Sequence, residues 1–187
     1  MIADQNIRPD GQALITADRF VLRQLRPSDA GLLHMYLGDI RVASMTRVIP
    51  HPVPPHYVSN MIERAMARDR TEDYWAIDGS ANGHAEVMGV MKLTPLDRNQ
   101  SEIRYWVAPA FWNTGIASEA VAAMLKANPQ GACAIYAEVF QDNPMSARVL
   151  TNAGFAYLGD AETFCVARGR VVPTWTYARK MGQPATA

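Results

Sequence analysis

The chain has 187 residues, 49% apolar and 19% charged, with eighteen basic side chains against eighteen acidic ones. This suits one globular domain with a core large enough to do without disulfides. A formal charge of zero gives no overall field to draw in nucleic acid or an anionic membrane, so neither is expected as a direct partner.

No uninterrupted run of about 20 apolar residues is present, and MIADQNIRPDG carries charges where a signal peptide needs an apolar stretch. The expected location is therefore cytoplasmic. Cys133 and Cys165 stand without a CxxC or Cys/His cluster, and their apolar neighbours predict two buried, reduced thiols. His51 and His56 lack the nearby cysteines or paired carboxylates that would define a metal site, so no metal is expected.

Residues 1–13 read as a loose leader, 14–180 as the domain and 181–187 as a tail. In 14–25, Phe20 and Leu22 alternate with Val21 and Arg23 around a first strand. Arg26-Pro27-Ser28-Asp29 breaks it, and Ser28 or Asp29 can cap a short helix carrying Leu32, Leu33, Tyr36 and Leu37. From 38 to 57 the pattern loosens around Pro50, Pro52, Pro54 and Pro55. That segment is either a wall over a substrate site or an inert connection. Residues 58–68 resume a helix through Met61, Ile62, Ala65 and Met66.

A strand over 73–78, a turn over 79–84 and a returning strand over 86–93, with Gly89 inside it, predict a hairpin. Residues 102–107 follow as a third strand, with Ile103, Tyr105 and Val107 on one face and Glu102, Arg104 and Trp106 on the other. After Pro109 and the polar turn Asn113-Thr114-Gly115, apolar residues from Ile116 to Leu125 recur at helical spacing. First-turn N–H groups have no partner inside a helix, so this unit is a candidate phosphate cradle; an ordinary packing turn has the same pattern. Residues 132–140 are apolar on both faces and return from the helix, which predicts a strand parallel to 102–107. Asn143 before Pro144 marks the next helix start, and Gly154 its end. Strands over 155–160 and 164–167, with 173–180 as a last edge strand, complete one mixed α/β domain.

In combination, ITADRFVLRQLRPSDA (15–30), EVMGVMKL (86–93), EIRYWVAPAFWNTGIASEA (102–120), IYAEVFQDNPMSARVLTNAGF (135–155) and PTWTYAR (173–179) resemble the GCN5-related acetyltransferases (GNAT superfamily). The branch most resembled is that of ribosomal-protein N-terminal alanine acetyltransferases and their relatives. The resemblance implies a mixed, mostly antiparallel twisted sheet flanked by helices, with a splayed parallel central pair. It implies acetyl-CoA as cosubstrate and an amine as acceptor, and allows a homodimer.

Carried over residue by residue, the resemblance assigns the pyrophosphate to the amides around Asn113, Thr114, Gly115, Ile116, Ala117 and Ser118. Val107 and Ala108 would offer backbone groups to the pantetheine arm or thioester. Asn143 and Ser146 match the family's Asn-x-x-Ser beside the cofactor, although Asn143 also serves as a helix cap. Glu102 is the first candidate for general base and Glu138 the second; each also fits an ion-paired surface residue. Ser146, or water, would protonate the departing sulfur. Arg104 stands where the branch commonly has Gly, and Asn113-Thr114 replaces a commoner Gly followed by Lys or another long polar residue. Arg104, with Trp106, is thus a candidate acceptor-binding residue that would favour an acidic or strongly polar acceptor, or else a side chain paired with Glu102. Acceptors left open are a small amine, an amino sugar, an amino acid derivative and a peptide N-terminus. A CoA-binding module without transfer activity is the competing reading.

Overall fold

The computed structural model describes residues 12–182; residues 1–11 and 183–187 of the expected leader and tail lie outside the described residues. The described part is tied down from its start. Gln12 Nε2 donates to the Tyr74 carbonyl at 2.7 Å, and the Trp75 indole donates to the Ala13 carbonyl at 2.9 Å.

The expected first strand is folded on itself. β1 (Ile15–Thr16) and β2 (Val21–Gln24) pair antiparallel around a turn closed by the Ala17 N–H on the Phe20 carbonyl. β3 (Asp73–Asp78) keeps its expected bounds, β4 (Gly89–Leu96) begins three residues later than read, and β5 (Gln100–Val107) begins two residues earlier. β6 (Ala134–Phe140) returns parallel to β5, as the crossover rule requires. Among the described residues the sheet runs β1-β2-β3-β4-β5-β6, followed by β8 (Arg170–Lys180) and then β7 (Ala156–Cys165). Residues 173–180 are therefore interior and not the edge, because β8 inserts between β6 and β7. The edge is β7, one continuous strand through the stretch read as two, with its register shift at Tyr157/Gly159.

Strand alternation sends side chains to two faces, and each face has its own helices. On one, Ile116, Val121 and Met124 of α4 (Ile116–Ala127) and Leu150 of α5 (Pro144–Asn152) pack on Trp75, Met91, Leu93 and Ile103. On the other, Leu33 and Leu37 of α1 (Ala30–Leu37), Val42 of α2 (Ile40–Ala43) and Met61 and Ile62 of α3 (Tyr57–Met66) pack on Ala76 and Val90. α2 lies in the stretch whose pattern had loosened. Asp39 caps it by accepting from the Arg41 N–H. No helix among the described residues is long and apolar enough to cross a membrane. Cys165 is buried, whereas Cys133 is exposed, against expectation, because it falls before β6 where the chain is still at the surface.

Asp29 does not cap α1. Its carboxylate instead takes both Nη atoms of the buried Arg23, at 2.8 and 2.9 Å, and the Arg26 N–H at 2.9 Å. Arg23 Nε donates to Asp78, and the two remaining Nη hydrogens go to the Gln24 and Glu86 carbonyls, each at 3.0 Å. All five guanidinium donors are thereby satisfied, which a buried cation requires. The cluster joins β2, the entry to α1, the end of β3 and the approach to β4.

Burial would raise the Asp78 carboxyl, but the hydrogen bonds from Arg23 and Ser80 outweigh it and hold the group below its usual range. A carboxylate lowered in the folded state contributes stability above its unfolded value and loses it as pH falls through the folded one. Stability should thus hold near neutrality and fall below about pH 4, with Asp78→Asn flattening that acid limb. Asp29→Ala should cost about 3–5 kcal/mol in urea denaturation, because it strands Arg23 with one carboxylate. Gly89 is a second sensitive point: a Cβ there would lie 2.3 Å from the Trp106 carbonyl oxygen. Gly89→Ala should destabilise by about 1–3 kcal/mol, read as a lowered midpoint with unchanged slope.

Candidate active site

The central parallel pair is short. β5 meets β6 only at Gln100/Ala134, Ser101/Ile135 and Glu102/Tyr136, although β5 continues to Val107 and β6 to Phe140. Beyond Glu102 the strands part. The Ala108 N–H donates to the Met88 carbonyl at 2.8 Å, so even-numbered residues of β5 turn their backbone groups to β4. By alternation, the N–H and C=O groups of Tyr105 and Val107 face the opening. The Trp112 indole bridges part of it, donating to the Val107 carbonyl at 2.6 Å. Ala108 has both backbone groups engaged, its carbonyl accepting from Phe111, so the donors facing the opening are the N–H groups of Tyr105 and Val107.

A cleft of about 750 Å³ runs through this gap, and its lining comes from both faces of β5: Glu102 and Arg104 on one, Ile103 and Tyr105 on the other. Of the expected site residues, the cleft brings together Glu102, Arg104, Trp106, Glu138, Asn143 and Ser146. The turn into α4 lies outside it. There Asn113 and Gly115 both adopt positive φ, at 60° and 82°, and residues 112–115 are exposed. Among the described residues no acceptor takes the N–H of Asn113, Thr114, Gly115, Ile116, Ala117 or Ser118; the first intrahelical bond is Glu119 N–H to the Gly115 carbonyl. Six consecutive amides without an acceptor thus stand at the positive end of a twelve-residue helix, a place that favours an anion.

On the α1–α3 face Glu102 and Glu138 each have a cation. Glu102 Oε1 accepts from Arg104 Nη2 at 2.6 Å, the ordinary alternative for Arg104, while Glu102 Oε2 has no partner among the described residues. Glu138 accepts from Thr174 Oγ1 at 2.8 Å and from Arg47 Nη1 at 3.4 Å, so both its oxygens are engaged. Arg47 comes from the segment read as a wall or inert connection, of which Met45 to Ile49 line the cleft and the four prolines do not. Trp106 packs edge-on against Tyr36 at 6.3 Å between ring centres.

On the α4–α5 face, Asn143 Oδ1 caps α5 by accepting from the Ser146 N–H at 3.3 Å. Ser146 Oγ is free of that duty and donates to the Tyr105 hydroxyl at 3.0 Å, which donates in turn to the Ser146 carbonyl at 3.2 Å. Burial pushes the Tyr105 phenol up to about 12, against the opposing hydrogen bond from Ser146, so it stays protonated through the neutral range. Sequence reasoning placed Tyr105 only on one strand face with Ile103 and Val107. The signal it carried was a phenol on an apolar face, which demands a polar partner when buried. Arg19 was also missed: its guanidinium reaches Glu119, one hundred residues away, and no local pattern announces that contact. Among the described residues no three His, Cys, Asp or Glu side chains group as a metal site.

The same architecture recurs in solved structures. The microcin C7 self-immunity acetyltransferase MccE, solved with acetyl-CoA and AMP, is 16% identical with a TM-score of 0.77, over 95% of this chain and all 100% of that one. Spermidine N-acetyltransferase from Vibrio cholerae, solved with CoA and spermine, is 16% identical with a TM-score of 0.72, over 87% and 96%. The ribosomal-protein-S5-alanine acetyltransferase from Vibrio fischeri is 19% identical with a TM-score of 0.72, over 90% and 97%. At these identities the likeness is one of fold. Among curated proteins none matches the chain in sequence. The family model described as "Acetyltransferase (GNAT) domain" matches residues 19–156, which takes in β5, the turn into α4, β6 and α5, and the chain belongs to that family of acetyltransferases.

Proposed function

We propose that the chain transfers the acetyl group of acetyl-CoA to a primary amine, on a small molecule or at a protein N-terminus. The observation that carries this reading is the cleft through the β5/β6 gap, lined by Ser146 and Leu150 of α5 on one face of the sheet and by Tyr57 and Met61 of α3 on the other. Relatives of this fold have been solved with CoA or acetyl-CoA, which supports the same cosubstrate here. The cradle from Asn113 to Ser118 would hold the pyrophosphate, and the thioester would lie along the opening by Val107 and Ala108, within reach of Asn143 and Ser146. The amine would approach over Arg104 and Trp106.

In the reaction the amine nitrogen attacks the thioester carbonyl carbon, and the oxyanion that forms is met by the Val107 N–H. The amine proton passes to Glu102 through its open Oε2, directly or by way of water. Glu138 is the second candidate, with both oxygens already engaged. Collapse of the intermediate breaks the C–S bond. The thiolate is protonated from the Ser146–Tyr105 pair, where the Ser146 hydroxyl stabilises the Tyr105 phenolate left behind. Positioning of the amine against the thioester supplies much of the remaining acceleration.

A screen of acetyl-CoA consumption against small amines and N-terminal peptides, with product mass measured, tests the proposal. Acetyl-CoA binding without turnover on any acceptor would favour the inactive module instead. Glu102→Gln should keep cofactor affinity and lower kcat about 10²-fold, while Glu138→Gln should change it far less; the reverse order moves the base to Glu138. Arg104 is joined to Glu102, so Arg104→Gly should slow acidic, neutral and basic acceptors by similar factors. A loss confined to acidic acceptors would make Arg104 a recognition residue.

A further inference from the structure

The turn that would receive the cofactor phosphates has no cation of its own. From Pro109 to Leu125 the sequence contains no Lys, Arg or His, and Lys126 sits at the far end of α4. Amides and the helix dipole alone would have to balance a diphosphate.

A full positive charge is nonetheless held there, delivered from the opposite end of the chain. Arg19, in the turn between β1 and β2, donates through its backbone N–H to Glu119 Oε1 at 2.9 Å and through Nε to Glu119 Oε2 at 2.6 Å. Its Nη1 donates to the Thr114 carbonyl at 2.8 Å. These three bonds fix the plane of the guanidinium over the turn. Nη2 has no partner among the described residues and lies 3.3 Å from where a Cβ on Gly115 would stand. The side chain remains 42% exposed.

The placement runs against the helix dipole. A helix N-terminus repels a cation, and the arrangement is tolerated because Glu119 lies in the first turn of α4. Burial would raise the Glu119 carboxyl, but the bonds from Arg19 outweigh it and hold the group below its usual range. Anchoring the β1–β2 turn to α4 requires only the backbone N–H and Nε. The Nη2 edge contributes nothing to that anchor, yet it is aimed beside the six open amides.

We propose that Arg19 is a cofactor-phosphate residue. Clasped by Glu119 and the Thr114 carbonyl, it presents the Nη2 edge to the phosphates of acetyl-CoA and supplies from the β1–β2 turn the charge that the cradle lacks. The glycine at 115 leaves room for that edge. This assignment rests on the acetyl-CoA reading above and names one residue within it.

The test compares acetyl-CoA with S-acetylpantetheine, which keeps the thioester arm and lacks every phosphate. Arg19→Gln should weaken acetyl-CoA binding about 10-fold or more, make it less sensitive to salt, and leave S-acetylpantetheine binding unchanged. Adding Thr114→Lys to Arg19→Gln should recover a large part of the lost affinity, because a charge in the turn replaces the missing one. Equal losses for both probes, or a folded Arg19→Gln with unaltered acetyl-CoA affinity, would reduce Arg19 to a structural tie and overturn the proposal. If Arg19→Gln does not fold, Arg19→Lys serves, since it keeps a charge and a donor but loses the fork. It should weaken acetyl-CoA selectively by about threefold, and parallel losses for both probes would again overturn the assignment. A parent protein that binds neither probe removes the acetyl-CoA reading itself, which distinguishes that failure from a failure at Arg19.

Discussion

The structure depends on two neighbouring strands that stop pairing. β5 and β6 share a ladder for three residue pairs and then part, leaving backbone groups in mid-sheet that would ordinarily bond to each other. An opening of this kind survives only if each strand is held firmly on its other side. β4 pairs with β5 from Gly89/Val107 to Leu96/Gln100, and β8 pairs with β6 along its whole length from Ala134/Lys180 to Phe140/Thr174. The sheet is thus two panels hinged at residues 100–102, and the cleft is the gap between them. Trp112 explains how the turn beyond β5 remains in register with the gap, since its indole is bonded to the Val107 carbonyl.

Three ion pairs meet on the α1–α3 face of the gap. Lys92 and Arg104 lie directly opposite each other on β4 and β5, a like-charged pair that is unfavourable in an antiparallel ladder. Each is answered by its own carboxylate: Glu72 takes Lys92 at 2.6 Å and Glu102 takes Arg104 at 2.6 Å. Burial would raise Glu72, but its bonds from Lys92, Tyr74 and Thr94 prevail and keep it below the usual range. Arg47 against Glu138 makes a third pair, while Arg64 and Asp69 line the same cleft outside any of the three.

Much of this was legible in the residues because the relevant signals are local. The alternation from Glu102 to Val107, the Gly115 turn and the Asn143 cap each act within a few positions, and the corresponding elements fall where expected. What was not legible is long-range. A one-dimensional pattern shows that 156–165 and 170–180 are extended, but not that β8 slips between β6 and β7, since both positions suit the same alternation. Asp29 was a sound cap by composition and was diverted by Arg23, because a buried guanidinium demands bidentate carboxylates more strongly than a helix N-terminus does. The Tyr105–Ser146 contact spans forty-one residues and forms only once α5 has docked beside β5.

Hydrogen-bond satisfaction separates scaffold from site among the arginines. Arg23 has partners for all five guanidinium donors and is 4% exposed, so nothing can be added to it; its chemistry is complete at folding. Arg104 uses one donor toward Glu102 while its side chain is only 20% exposed, and it lines the cleft. Arg19 uses two side-chain donors and turns its remaining edge over the α4 entry. A polar group removed from water without a full set of partners is unfavourable in proportion to its burial. Of these three, Arg19 and Arg104 keep guanidinium donors free among the described residues, Arg104 at the cleft and Arg19 at the entry to α4, whereas Arg23 keeps none.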